Sequence, residues 1–343
     1  MDKYFEQYPV LLNNNDSHII AEALFVKETN PDLIFVTNDL ICKKIAKAVG
    51  LNVEYKKVEF EQEYKGYNIF KCNNDNEVAN VYNSLWQDNF LQDIGAITNQ
   101  YFIIQNGKDM IDAYKYTEDK TLEQVEFKTF ESKHLGKIKP MDKLQLCAMD
   151  SLENNKLTVI GGPGGAGKSL LSMAYLFQQL EKGKIDHIII FCNTVATSGS
   201  AKLGYYPGSR TEKLMDSQIG NFLISKIGGR EEVDKLIDHD EIILLPMSDL
   251  RGFDTSGMNA GIYITEAQNM DIELMKLALQ RIGDDSFCIL DGDWKTQVDM
   301  SQYAGDNNGL KRVSEVFKGQ PFFGQINLEK IYRSKIAAIA DTM

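Results

Sequence analysis

Eight consecutive residues, Gly162-Pro163-Gly164-Gly165-Ala166-Gly167-Lys168-Ser169, fit the pattern G-x-x-x-x-G-K-[ST]. Its chemistry requires a loop between the end of a β-strand and the start of a helix. Both flanks are present: Leu157, Val159 and Ile160 precede it as a short buried strand, and residues 170–176, opening with Leu170, read as the first turns of a helix. The glycines let backbone N–H groups turn inward around phosphate oxygens, at a helix N-terminus that already favours anions. Lys168 would reach the β- and γ-phosphates of a nucleotide, and the Ser169 hydroxyl would ligate Mg²⁺. A glycine-rich turn that binds nothing is the alternative, and the strand and helix on either side argue against it.

A loop of this kind hydrolyses nothing alone. It needs an acid on the metal side and a group that positions the attacking water. About a hundred residues on, the apolar run Ile262-Tyr263-Ile264 delivers Thr265 and Glu266, followed by Ala267, Gln268 and Asn269. Acids at the C-terminal ends of strands are where open α/β sheets place their ligand-facing groups. Glu266 is therefore the candidate for orienting the water; capping the next helix is its alternative use. The position before it, ordinarily an aspartate that holds a water of the Mg²⁺ shell, is Thr265, whose hydroxyl lacks the charge. This predicts retained binding with slower turnover. A third element ends the strand at 287–290 in Gly292 and Asp293, with Gln297 and Asp299 beyond; these polar groups would face the γ-phosphate. Upstream, the Gln145 amide can offer a donor and an acceptor to an adenine edge, or lie plainly on a helix surface.

Along the chain, residues 1–58 alternate helix and strand: a helix over 16–27, a strand over 33–36 and a helix over 39–49 stopped by Gly50. Residues 59–135 are more polar, with short β-like runs such as 101–104 before the turn Asn106-Gly107-Lys108. From 136 to 343 apolar strands at 157–160, 187–191, 241–245, 262–264 and 287–290 alternate with helical segments, which predicts a mainly parallel sheet. The 343 residues carry a net charge of −12, which argues against a broad nucleic-acid surface but not against a basic channel. Five cysteines stand singly with no C-x-x-C pair, which suits free thiols in a reducing cytoplasm. No apolar run approaches the roughly 20 residues of a membrane span.

The co-linear set of these motifs resembles the PhoH-like ATPases, in the form that carries an N-terminal PIN nuclease domain. The matches are Ile138-Lys139-Pro140 with Gln145, the loop at 162–169, Leu203-Gly204-Tyr205-Tyr206-Pro207-Gly208 and Leu250-Arg251-Gly252. They continue through Glu266-Ala267-Gln268-Asn269, Arg281-Ile282-Gly283, Gly292-Asp293 with Gln297 and Asp299, Asn308-Gly309-Leu310, Phe317-Lys318-Gly319-Gln320-Pro321 and Arg333-Ser334. The resemblance implies an α/β, RecA-like P-loop NTPase domain over 136–343 with a mainly parallel sheet. Before it would stand a small β-containing connector at 59–135 and a partial PIN-like α/β domain at 1–58. Asp16 and Asp39 match two metal-binding acids of a PIN domain, whose carboxylates hold cations that activate water; the strand for the first acid would precede Met1. Nuclease activity is therefore not expected, and helix capping is the alternative use of both aspartates.

Only one RecA-like domain fits in this length, so a neighbouring subunit would have to complete the site. The family is thought to form rings, commonly hexamers. Arg333 is then the candidate arginine finger, with Arg251 and Arg281 behind it. Single-stranded RNA, which the family implies, would pass Lys202, Lys213 and Arg210, with Tyr205 and Tyr206 available to stack on bases. Two readings stay open: an ATP-driven RNA-remodelling motor, and a nucleotide-gated RNA- or protein-binding scaffold with slow or no turnover. A small-molecule kinase fits less well, because it has no use for the Glu266 and Asp293 elements.

Overall fold

The chain divides into two units, Met1–Glu63 and Tyr64–Met343. The computed structural model describes residues 2–11, 15–37, 40–55, 63–86, 90–192, 218–295, 298, 303 and 305–332.

In the first unit α1 (Asp2–Gln7) and α2 (Asn15–Thr29) precede β1 (Ile34–Thr37), α3 (Leu40–Ala48) and β2 (Asn52–Tyr55). β1 and β2 pair in parallel with Ile34 opposite Asn52, so α3 is the crossover that parallel strands require. Ile20, Ala21 and Leu24 of α2 pack with Ala46, Val49 and Leu51 to form its core.

The second unit opens with a four-stranded mixed sheet. Its strands are β3 (Tyr67–Cys72), β4 (Tyr101–Asn106), β5 (Asp109–Tyr116) and β6 (Leu122–Gln124), with α4 (Asp75–Leu85) and α5 (Phe90–Asp93) between β3 and β4. The expected turn at Asn106-Gly107-Lys108 joins β4 to β5, with Gly107 at φ 58°. Side chains alternate across the sheet. Phe102, Ile104 and Tyr114 face α4 and α5, while Tyr101, Ile103 and Ala113 join the main core. A hairpin of β7 (Phe130–Ser132) and β8 (Gly136–Ile138) leads into α6 (Lys143–Asn154).

The main sheet starts at β9 (Leu157–Gly161), which feeds α7 (Lys168–Glu181) and β10 (His187–Cys192). Then come α8 (Gln218–Ile227), α9 (Arg230–Asp238), β11 (Ile242–Pro246), β12 (Ala260–Ile264), α10 (Ile272–Leu279), β13 (Phe287–Gly292), α11 (Gly309–Phe317) and β14 (Phe323–Asn327). The six strands run parallel in the order β11-β10-β12-β13-β9-β14. Helices cover both faces, which is why the strands read as unbroken apolar runs. Ile160, Ile188, Ile190, Tyr263 and Ile289 pack toward α6 and α7; Val159, Ile189, Phe191, Ile262 and Leu290 pack toward α10 and α11. Each such fully buried side chain contributes about 1.5–3 kcal/mol. Side-chain oxygens start four of the described helices: Asn74 accepts from Glu77 N, Asp142 from Gln145 N, Asp271 from Leu274 N and Asn308 from Lys311 N. Among the described residues no helix is long and apolar enough to cross a membrane. All five cysteines are free and buried, and burial pushes the Cys192 thiol up to about 12.

Asn99 ties the small sheet to the edge of the large one. Its backbone is left-handed at φ 64°, and its buried amide donates to Pro321 O at 2.9 Å and Phe323 O at 3.0 Å. Asn99→Ala removes both bonds, one of them to the buried Phe323 carbonyl, and should lower the unfolding free energy in urea by about 1–3 kcal/mol. Asn99→Gly, which removes the backbone strain while losing the same bonds, should fall between the two.

Candidate nucleotide-binding site

The loop that leaves β9 is held by its carbonyls. Leu328 N donates to Gly161 O at 2.8 Å, Tyr332 N to Gly165 O at 3.0 Å and the Gln145 amide to Ala166 O at 2.9 Å. The Lys168 ammonium folds back onto Gly162 O at 2.7 Å and Pro163 O at 3.0 Å. Gly162 has φ 125° and Gly167 φ 96°, a region that side chains strain. A Cβ at Gly162 would also meet Leu328 O at 2.3 Å, and one at Gly167 the Gln145 amide at 2.9 Å. With the carbonyls of Gly161, Gly162, Pro163, Gly165 and Ala166 taken by the protein, the loop offers N–H donors. Gly167 starts α7 without a side-chain cap bond, which leaves that helix end open to an anion. A cleft of about 300 Å³ opens beside the loop, lined by Lys65, Tyr67, Gly162, Pro163, Asp293 and Trp294 among others.

Gln145 is 5 % exposed, and its amide is spent on this brace: Oε1 accepts from Met141 N at 2.8 Å while Nε2 holds Ala166 O. The expected adenine-reading pair is therefore turned inward, because the first turn of α6 sits directly against the loop. Asp142 works from the same turn, capping α6 with one oxygen and accepting from the Tyr332 hydroxyl at 2.6 Å with the other.

The adjoining strand ends carry the acids. β13 lies between β9 and β12, and its Asp291 is 2 % exposed. Asp291 Oδ2 accepts from Ser169 Oγ at 2.8 Å and from Tyr263 OH at 2.5 Å, and Oδ1 accepts from Glu266 N at 3.2 Å. Burial and then the Asp291 charge push the Tyr263 phenol well above its ordinary value, so it stays a neutral donor. Glu266 has a left-handed backbone at φ 52° and makes no side-chain cap to the 3-10 turn Ala267–Asn269. Its carboxylate instead accepts from Gln268 Nε2 at 2.6 Å. Gln268 is wholly buried and spans the strand ends, its Oε1 accepting from Asp293 N at 3.2 Å. Asn308 Nδ2 in turn donates to Gln268 O at 2.8 Å. The buried Asp293 carboxylate accepts from Lys295 N at 3.0 Å. A non-glycine residue held left-handed by a hydrogen-bonded surround is a feature of working sites.

The structure thus brings together the loop from Gly162 to Ser169, Leu170, Gln145, Glu266 and Asp293. Asp16 sits exposed in the first turn of α2, in the other unit. Asp39, Gln297, Asp299, Arg333 and the segment bearing Lys202, Tyr205, Tyr206, Arg210 and Lys213 lie outside the described residues. Arg251 is exposed, and Arg281 is half-buried with its carbonyl bonded to Thr255. Among the described residues no three His, Cys, Asp or Glu side chains cluster as a metal cage. A Mg²⁺ bound with a nucleotide needs none, because phosphates and waters fill most of its shell. Sequence reasoning gave no part to Asp291, Tyr263 or Tyr332. The acid ending a strand just before Gly292 was the available signal for Asp291, but its nearness to Ser169 depends on strand order.

Parallel sheet, braced glycine loop and acids at neighbouring strand ends define a P-loop α/β domain. The chain belongs to the PhoH-like protein family, whose model matches residues 137–342. It is 28% identical over 345 residues to protein PhoH2 of Bacillus subtilis (strain 168), covering 95% of this chain and 77% of that one. It is 26% identical to protein PhoH2 of Thermobispora bispora, covering 96% and 74%. Among solved structures, the Pif1 helicase of Candida albicans aligns with TM-score 0.30 and 13% identity over 59% of this chain and 42% of that one. At that score the likeness adds nothing to the architecture described above.

The brace makes a specific prediction. Gln145→Ala should weaken ATP and GTP binding by the same factor, about tenfold, since it loosens the loop that both phosphate chains would use. Calorimetric titration of both nucleotides checks this; a loss confined to ATP would mean that the side chain reads the base.

Proposed function

We propose that this chain binds and hydrolyses ATP with Mg²⁺, as a PhoH-like P-loop ATPase. The observation that carries the reading is the meeting, at one end of the parallel sheet, of Ser169, Asp291 and Glu266 with a loop that has most of its carbonyls bonded within the protein. In this reading the loop N–H groups and the α7 N-terminus cradle the phosphates. Lys168 exchanges Gly162 O and Pro163 O for the β- and γ-phosphates, and Ser169 takes the metal. Glu266, aimed by Gln268, orients the attacking water. Asp293, joined to the same Gln268 through its backbone, responds with Gln297 to loss of the γ-phosphate. Arg333 acts as the arginine finger; in the chain it directly follows Tyr332, which is bonded to Gly165.

The fuller proposal is a ring, hexameric or of another size, that remodels single-stranded RNA. It rests on the family resemblance and on the residues at 202–213. Asp16 and Asp39 would belong to a PIN-like unit. The second reading, a nucleotide-gated scaffold with slow or no turnover, is favoured by one observation: Thr265 supplies no carboxylate next to Glu266.

ATP hydrolysis by the purified chain, with and without single-stranded RNA, separates the two. RNA should raise the rate, Lys168→Ala should abolish it, and Glu266→Gln should lower turnover about 10²–10⁴-fold while nucleotide still binds. Binding without turnover in the unmodified chain would establish the scaffold.

A further inference from the structure

The metal side of this site lacks its usual charge at Thr265, yet the site contains a carboxylate. Thr265 follows β12, one strand removed from β9, because β13 is inserted between them. From that inserted strand Asp291 reaches the loop, pairing in register beside Ile160 of β9. Its Oδ2 lies 2.8 Å from the hydroxyl of Ser169, the loop residue that takes the metal in such sites. Three donors hold the carboxylate: the Ser169 hydroxyl, the Tyr263 phenol and the Glu266 amide. All three are neutral, and Asp291 forms no ion pair among the described residues. These donors bring no positive charge to the carboxylate. A divalent ion on the Ser169 side would supply that charge, and the serine proton that now points at Asp291 leaves the hydroxyl oxygen free to ligate it.

We infer that Asp291 provides the metal-side carboxylate of this site in place of Thr265, the acid having moved from the end of β12 to the end of β13. The inference rests on the reading of the loop as a Mg²⁺–nucleotide site. It also changes what Thr265 means: the residue no longer marks a weakened catalyst, because the charge it lacks comes from the neighbouring strand. Tyr263 and the Glu266 amide are then positioning groups that fix the carboxylate, and they couple the metal to the backbone of the residue proposed to orient the water.

The test reads, within each protein, the ratio of nucleotide affinity with Mg²⁺ to that without it. Calorimetric titration of ADP and of a non-hydrolysable ATP analogue into the full chain supplies both numbers without any turnover. The unmodified chain should bind more tightly with Mg²⁺, and Asp291→Asn should lower that gain about 10- to 100-fold. Moving the acid back, Thr265→Asp with Asp291→Thr, should recover it. A full Mg²⁺ gain in a folded Asp291→Asn chain overturns the inference and leaves the nucleotide reading standing. No nucleotide binding by the unmodified chain removes both. Should Asp291→Asn not fold, the exchanged pair decides: a gain close to that of the unmodified chain supports the inference, and a ratio near one overturns it.

Discussion

A loop that is to hold an anion with its own backbone must aim N–H groups outward, and its carbonyls then need partners elsewhere. This constraint organises the second unit. The carbonyls of Gly161, Gly165 and Ala166 are bonded by Leu328, Tyr332 and Gln145, and those of Gly162 and Pro163 by Lys168. The donors come from three directions: the chain after β14, the first turn of α6, and α7 itself. Each unmade bond would leave a polar group without a partner at a cost of about 1–3 kcal/mol. The brace therefore also explains why α6 and the segment after β14 are anchored where they are. Gln145 and Tyr332 share Asp142, so the two outer supports are themselves joined.

The other half of the site follows from strand order. In a sheet ordered β12-β13-β9, the residue ending β13 is nearest the loop, and the residue ending β12 must act across it. Gln268 makes that span, accepting from Asp293 N while donating to Glu266. Asp291 makes it again through Ser169 on one side and Glu266 N on the other. A change at the phosphate end would thus be felt at Glu266 by two routes.

Much of the scaffold was legible because its signals are local. The strands expected at 157–160, 187–191 and 287–290 appear as Leu157–Gly161, His187–Cys192 and Phe287–Gly292, and the helix at 16–27 as Asn15–Thr29. Apolar runs, helix caps and the glycine loop act through neighbours in sequence, so the chain displays them directly. Pairings were not legible. Nothing in residues 59–135 reveals that β3 pairs parallel to β4, or that Asn99 reaches Pro321 and Phe323. For Gln145 the sequence leaves both a base-facing amide and a helix-surface side chain open, because its position does not disclose which way α6 presents it. Asp291 was passed over for the same reason: its role depends on which strand lies beside β9, a long-range fact. That Thr265 carries no charge is legible in the sequence; which carboxylate lies against Ser169 is not.

The central claim is that the outward N–H groups of the braced loop receive phosphate. It is tested most directly by NMR of a chain labelled with ¹⁵N-glycine and titrated with ADP and Mg²⁺. The account predicts large amide shifts at Gly164, Gly165 and Gly167, lost in Lys168→Ala, with glycines remote from the loop such as Gly107 unmoved. Saturable nucleotide binding that leaves the loop glycines unshifted would contradict it.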